Sequence, residues 1–177
     1  MIELDTFECI ATKFDVREFA DRPVPQDIRL KVLEAARMTG TGLNTQHWRF
    51  VLVDGGDLSR LAADSTSGMW VSGANFAVIV LTNPKHRFHA LDAGRVVQDM
   101  QLAAWNFGVA SGIYTGVDET RLRKDFNIPA ELSPTVIVGF GYPKNQAFPP
   151  QTGKTKKNRL PLSDLVFSGR YGNAFAA

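Results

Sequence analysis

Four stretches of this chain combine residue types able to do chemistry. Lys13-Phe14-Asp15-Val16-Arg17 sets two cations four residues apart around an acid, just before a Pro-rich turn. Such a pair can meet a phosphate or an anionic ring, or can be an ordinary solvated pair. Arg17 adds a permanent charge on a rigid donor fork, which suits an anion that develops during a reaction. Thr39 to Trp48 is a small, polar loop in which Gly40 and Gly42 let backbone approach a ligand, and Thr41, Asn44 and Gln46 offer polar groups. The two amides, Asn44 and Gln46, each donate and accept, as a planar heterocycle with mixed edges requires. The same loop also reads as a polar turn capped by Asn44, with Trp48 in the core. Lys154-Thr155-Lys156-Lys157-Asn158-Arg159 packs four cations into six residues. It can neutralise a terminal phosphate, touch nucleic acid, or stay solvated. Ser111 to Gly116 reads as a Gly-containing loop whose backbone N–H groups, at Thr115 and Gly116 among others, are free to face a ligand.

Other chemistries find little support. No G-x-G-x-x-G follows a strand and no G-x-x-x-x-G-K-[ST] occurs, so the common dinucleotide and triphosphate cradles are not indicated. His47, His86 and His89 lack regular ligand spacing beyond His86-x-x-His89, and no metal is expected; His86 and His89 read as surface residues. Cys9 is the single cysteine and is expected to be buried and inert, without a disulfide framework, as suits a reducing cytoplasm. With 20 Lys and Arg against 18 Asp and Glu, the net charge of +2 makes no broad field for nucleic acid or anionic lipid. The apolar run Phe76 to Leu81 is far too short to cross a membrane, and the acidic start Met1-Ile-Glu-Leu-Asp is unlike a secretory signal.

The elements that must position these stretches can be read from periodicity. Residues 26 to 38 place Ile28, Val32, Ala35 and Ala36 on one helical face, with Pro25 at its start. Trp48 to Val53 is a strand closed by Asp54-Gly55-Gly56, after which Asp57 is expected to cap a short helix. Asn75 to Thr82 is β-branched and nearly all apolar, the pattern of a central strand buried on both faces. From Asp92 to Phe107, Ala93, Val96, Val97, Met100, Ala103, Ala104 and Phe107 repeat at helical spacing. Leu102 and Trp105 widen that stripe, so this is the core helix under the sheet, stopped by Gly108. Glu119 to Phe126 forms a short helix and Pro134 to Tyr142 a further strand. At 177 residues the chain fits one domain, with residues 144–177 as a C-terminal arm.

Taken together, these segments resemble the nitroreductase family of FMN flavoproteins over nearly the whole chain. The strongest likeness runs from Ala36 to Phe50, through Thr39-Gly40-Thr41-Gly42-Leu43-Asn44-Thr45-Gln46-His47-Trp48, which is similar to that family's helix, Ser/Gly loop, Asn-x-Gln-Pro-Trp and strand. Further likeness lies in Asp92-Ala93-Gly94 to Gly108, in Val138-Gly139-Phe140-Gly141 and in Lys157-Asn158-Arg159-Leu160-Pro161-Leu162.

The resemblance implies an α+β, nitroreductase-like fold: a central mixed, mainly antiparallel sheet of four to five strands flanked by helices, in an intertwined homodimer whose C-terminal arm packs on the partner. It implies FMN at the dimer interface, with NADH or NADPH as electron donor. Lys13, Phe14 and Asp15 would lie near the ribityl phosphate or ribityl chain, Arg17 would face N1 and O2 of the ring, and Lys157 and Arg159 would hold the phosphate. Gly40, Thr41, Gly42, Asn44 and Gln46 would reach the ring from the other chain, and Thr115 and Gly116 would turn N–H groups towards N5. The catalytic set is then Arg17, Thr115 and Gly116. Hydride would pass by a ping-pong pattern to a nitroaromatic, quinone or enone. A non-catalytic FMN-storage protein, and a same-fold dehalogenase or dehydrogenase, are the alternatives.

This chain departs from the family pattern in four places. Asp15 stands where a serine is usual, His47 where proline is usual, Thr41 and Gly42 where serines are usual, and Thr115 where many members have Glu. The chain is also short for the family, so a substrate-covering helical insertion is expected to be missing and the site open.

Overall fold

The strand Phe76–Thr82 (β2) organises the architecture, because all of its residues are buried. It pairs antiparallel with Arg49–Asp54 (β1) on one side and with Ser133–Gly141 (β4) on the other, and β4 pairs in turn with Ala110–Tyr114 (β3). The sheet order is β1-β2-β4-β3. The structure, a computed structural model, describes residues 4–145 and 159–175.

Alternation along β2 explains why the sheet is covered twice. Phe76, Val78 and Val80 face one core with Val136, Val138 and Phe140 of β4. Against them pack Val32 and Ala36 of Gln26–Met38 (α2), and Ala93, Val96, Val97, Met100 and Ala104 of His89–Asn106 (α4). Ala77, Ile79 and Leu81 face a second core, closed by Leu58, Leu61 and Ala62 of Asp57–Ala63 (α3) and by Leu122 of Glu119–Asp125 (α5). From Phe76 to Leu81 the period-two side chains are all apolar and leave no solvent face, so helices must cover both sides. A third cluster joins Cys9 of Thr6–Thr12 (α1) to Trp105 and Ala110.

Most expected elements are present within a few residues of their expected bounds. Every ladder is antiparallel, the described parallel pairing being the isolated bridge of Asp15 with Ser111. Three readings need correction. Ser111 to Gly116 is not simply a loop: its first four residues belong to the edge strand β3, whose Gly112 sits opposite Gly139. Small residues hid it, since Gly and Ser weaken the strand signal. Asp57 is the first residue of α3 and makes no capping hydrogen bond; its carboxylate lies 3.5 Å from Arg60 instead. His86 and His89 are half-buried, the first stacked on His47 at 4.7 Å between ring centroids and the second 3.2 Å from the Thr82 hydroxyl. The helix α1, capped by a reciprocal Asp5–Glu8 box, is an element that apolar periodicity did not reveal.

Candidate active site

Leaving α1, the chain extends and runs beside β3. The Val16 N–H donates to the Ser111 carbonyl at 2.8 Å, and Asp15 bridges Ser111 in parallel. Gly112 makes this approach possible: a Cβ there would stand 2.5 Å from the Val16 carbonyl oxygen and 2.9 Å from the Trp70 ring. Phe14 meets Trp105 edge-on at 5.1 Å. Arg17 therefore projects, exposed, from a segment pinned on both sides.

Lys13 is not a solvated partner of Arg17; it is only 8 % exposed. Its Nζ donates to Asp15 Oδ1 at 2.5 Å and to Gln101 Oε1 at 3.0 Å. The Gln101 amide nitrogen donates in turn to Ser111 Oγ at 3.0 Å and to Asp15 Oδ1 at 3.3 Å. A buried ammonium needs such partners, because desolvation without them is costly. Gln101 escaped the sequence reading, although Val97, Ala104 and Trp105, its neighbours at i−4, i+3 and i+4, are all buried. An amide at such a position must bond inside the protein.

Beside this network lies a cleft of about 560 Å³, lined by Phe14 to Glu18 and by Pro143, Lys144 and Asn145. Its size falls within the roughly 300–1,000 Å³ of small-molecule sites. The Asp15 carboxylate and the exposed Arg17 guanidinium line the cleft, with the Lys13 ammonium buried behind Asp15, so the cleft offers acceptors for hydroxyl groups and a fixed positive charge for an electron-rich ring edge.

Thr115 is exposed just past β3, and Gly116 is half-buried. The Gly116 carbonyl accepts from the Thr66 N–H at 2.9 Å, and a Cβ at Gly116 would lie 2.5 Å from Ser67 Oγ. A larger residue here would make the Thr66 and Ser67 side chains shift. Next to it, Asp64 is fully buried, with neither carboxylate oxygen hydrogen-bonded; Arg121 Nε stands 3.3 Å away without bond geometry. Burial, reinforced by Asp125 and Asp118, raises the Asp64 pKa against the opposing pull of Arg121 and Arg60. The Tyr114 hydroxyl is also buried without a hydrogen-bond partner, and burial together with Asp64 raises its pKa.

The loop 40–46 is built on strained backbone. Leu43, Asn44 and Gln46 all take positive φ, at 55°, 54° and 46°. Non-glycine residues adopt this region at a cost and keep it where surroundings impose it. Asp92, 2 % exposed, imposes much of it: its Oδ2 accepts from the Gly42 N–H at 3.2 Å and lies 3.2 Å from His47 Nε2. The Thr41 hydroxyl accepts from the Gln46 N–H at 3.0 Å. Leu43 at the tip is 95 % exposed. Asp92, like Gln101, is a polar residue on the buried face of α4 that periodicity did not single out.

Within one chain the expected site residues form two groups. Lys13 and Asp15 bond to Gln101, with Phe14 and Arg17 on the same segment, whereas Gly42 bonds to Asp92, with Gly40, Thr41, Asn44 and Gln46 on the same loop. Gln101 and Asp92 are nine residues apart on α4, about 14 Å at 1.5 Å per residue. Arg159 is exposed at the start of the C-terminal stretch, and Lys157 lies outside the described residues.

Comparison with known proteins places this architecture. The family described as "Nitroreductase family" matches residues 10–83 and 70–142. A relative named "Putative NADH dehydrogenase/NAD(P)H nitroreductase", from Methanothermobacter thermautotrophicus, is 27% identical over 150 residues, covering 80% of this chain and 78% of its own. The solved structure of a nitroreductase family protein from Clostridium difficile 630 superposes with a TM-score of 0.82 at 23% identity, over 94% of this chain and 99% of that one. Another, described as an oxidoreductase containing FMN, has a TM-score of 0.79 at 22% identity, over 97% and 94%. At these identities the solved structures establish a shared fold.

Proposed function

The chain belongs to the nitroreductase family, and from that premise we propose that it is an NAD(P)H-dependent FMN oxidoreductase acting on small, electron-poor acceptors such as nitroaromatics, quinones or enones. The observation that carries the reading is the segment beside β3, where buried Lys13 is paired with Asp15, and Asp15 and exposed Arg17 line the 560 Å³ cleft.

FMN, when bound, supplies the hydride-accepting and hydride-donating chemistry. The chain's residues bind and orient it. Lys13 and Asp15 meet the ribityl chain and its phosphate, together with Lys157 and Arg159. Arg17 supplies a fixed positive charge at the ring's N1 and O2 edge, where negative charge develops. Thr115 and Gly116 present backbone towards N5, held in place by the 65–67 turn. Donor and acceptor would use the same site in succession, which would give ping-pong kinetics.

A second copy of the chain completes the site in this proposal. The 14 Å offset between the two residue groups on α4 favours one copy lending loop 40–46 to the Arg17 cleft of the other. Apolar side chains left exposed support the pairing: Leu43, Met38 and Leu91, and, on the C-terminal stretch, Leu160, Leu162, Leu165 and Tyr171.

The test is the visible spectrum of the purified protein with FMN, before and after anaerobic NADH or NADPH. Bound flavin that loses its absorbance near about 450 nm, a property of flavins in general, supports the reductase. A protein that holds FMN and stays yellow is a storage protein. One that stays colourless and refuses FMN overturns the proposal.

A further inference from the structure

We infer that Asp15 is a specificity-determining residue that weakens this chain's preference for a phosphorylated flavin over an unphosphorylated one. The inference rests on the flavin reading above and concerns one end of that site.

Lys13 is the buried cation behind the cleft wall, and its ammonium is already engaged. Asp15 Oδ1 takes one N–H at 2.5 Å, and Gln101 Oε1 takes another at 3.0 Å. The carboxylate side chain of Asp15 is 43% exposed on the cleft side, whereas Lys13 lies behind it. A phosphate dianion arriving here meets a neutralised ion pair with its acid in front, so Coulomb attraction to Lys13 is cancelled by repulsion from Asp15. Ribityl hydroxyls gain from the same arrangement, because an ionised carboxylate accepts strong hydrogen bonds from hydroxyl groups. Gln101 is itself anchored by Ser111 Oγ, so Lys13 stays in place when Asp15 is changed.

The experiment measures dissociation constants of FMN and of riboflavin for the dimer by quenching of flavin fluorescence. The ratio of the two in the unaltered protein is the reference for the variants. Asp15→Asn keeps the side-chain shape, frees the Lys13 charge and raises the preference for FMN about tenfold or more. Asp15→Ser does the same, which guards against a folding defect peculiar to one variant, and thermal melting confirms that both fold. Adding Lys13→Gln to Asp15→Asn abolishes the gain, a result that a purely structural role for Asp15 would not produce. Binding of both flavins with a ratio unmoved or lowered by Asp15→Asn overturns this inference and leaves the flavin reading intact. Failure of the unaltered protein to bind either flavin removes both.

Discussion

His47 Nε2 and Asp92 Oδ2 meet at 3.2 Å where both side chains are almost wholly excluded from solvent. The same Asp92 oxygen accepts from the Gly42 N–H, so one carboxylate ties both ends of the strained loop to α4. Asp92→Ala leaves an N–H and an imidazole without their acceptor. The expected loss is about 1–3 kcal/mol per orphaned group, read from the denaturant midpoint. Asp92→Asn keeps an acceptor and should lose clearly less. Equal losses would show that the loop does not depend on this oxygen.

Arg17 projects from a segment whose path is set by Val16 and Gly112, so its removal should leave the fold intact. Arg17→Ala is expected to slow reduction of bound flavin by NAD(P)H about 100-fold, the usual scale for losing one preorganised group at developing charge. FMN affinity should fall far less. Stopped-flow reduction beside equilibrium titration separates the two, and parallel losses would reduce Arg17 to a binding residue.

Gly112→Ala would push a methyl group to 2.5 Å from the Val16 carbonyl oxygen. The strand cannot retreat, because Gly112 is paired with Gly139, which also lies under Trp70. A loss of about 1–3 kcal/mol is expected from overpacking, with weakened flavin binding as the 15–17 segment moves. Gly73→Ala, where a Cβ would meet nothing within 4 Å, is the matched control; similar destabilisation in both would remove the steric account.

Asp64 gives the stability a pH dependence opposite to that of a salt-bridged acid. Its folded-state pKa is raised above 3.8 by burial first and by Asp125 and Asp118 after that. As pH climbs from 3.8 through the raised value, the unfolded chain has lost the proton while the folded one keeps it, so stability falls across that window and then levels. Asp64→Asn should flatten this fall and raise neutral-pH stability by on the order of 1 kcal/mol. Urea midpoints measured from pH 3.8 upward check it; unchanged slopes would mean Asp64 is solvated in solution.

How much was legible beforehand varied by element. β2, α2 and α4 were, because a short run rich in β-branched residues reads as a buried strand and a 3.6-residue stripe as a helix. The edge strand β3 was not, since Gly112 serves Trp70 and Val16, and a residue chosen for lacking a side chain carries no strand signal. The Lys13–Arg17 segment was visible as chemistry, but not as a buried ammonium beside an exposed guanidinium.

By itself the amino-acid sequence determined the local facts: which stretches bury apolar faces, where backbone must turn, and which residues could meet an anionic cofactor. Tertiary structure alone decided the partners. That Gln101 braces the Lys13–Asp15 pair, that Asp92 holds the loop at Gly42 and His47, and that Asp64 lies buried beside Gly116 all depend on residues 45 to 88 positions apart coming within a few ångströms. Hydrogen bonds and charge pairs act over that short range only, so no spacing along the chain could announce them.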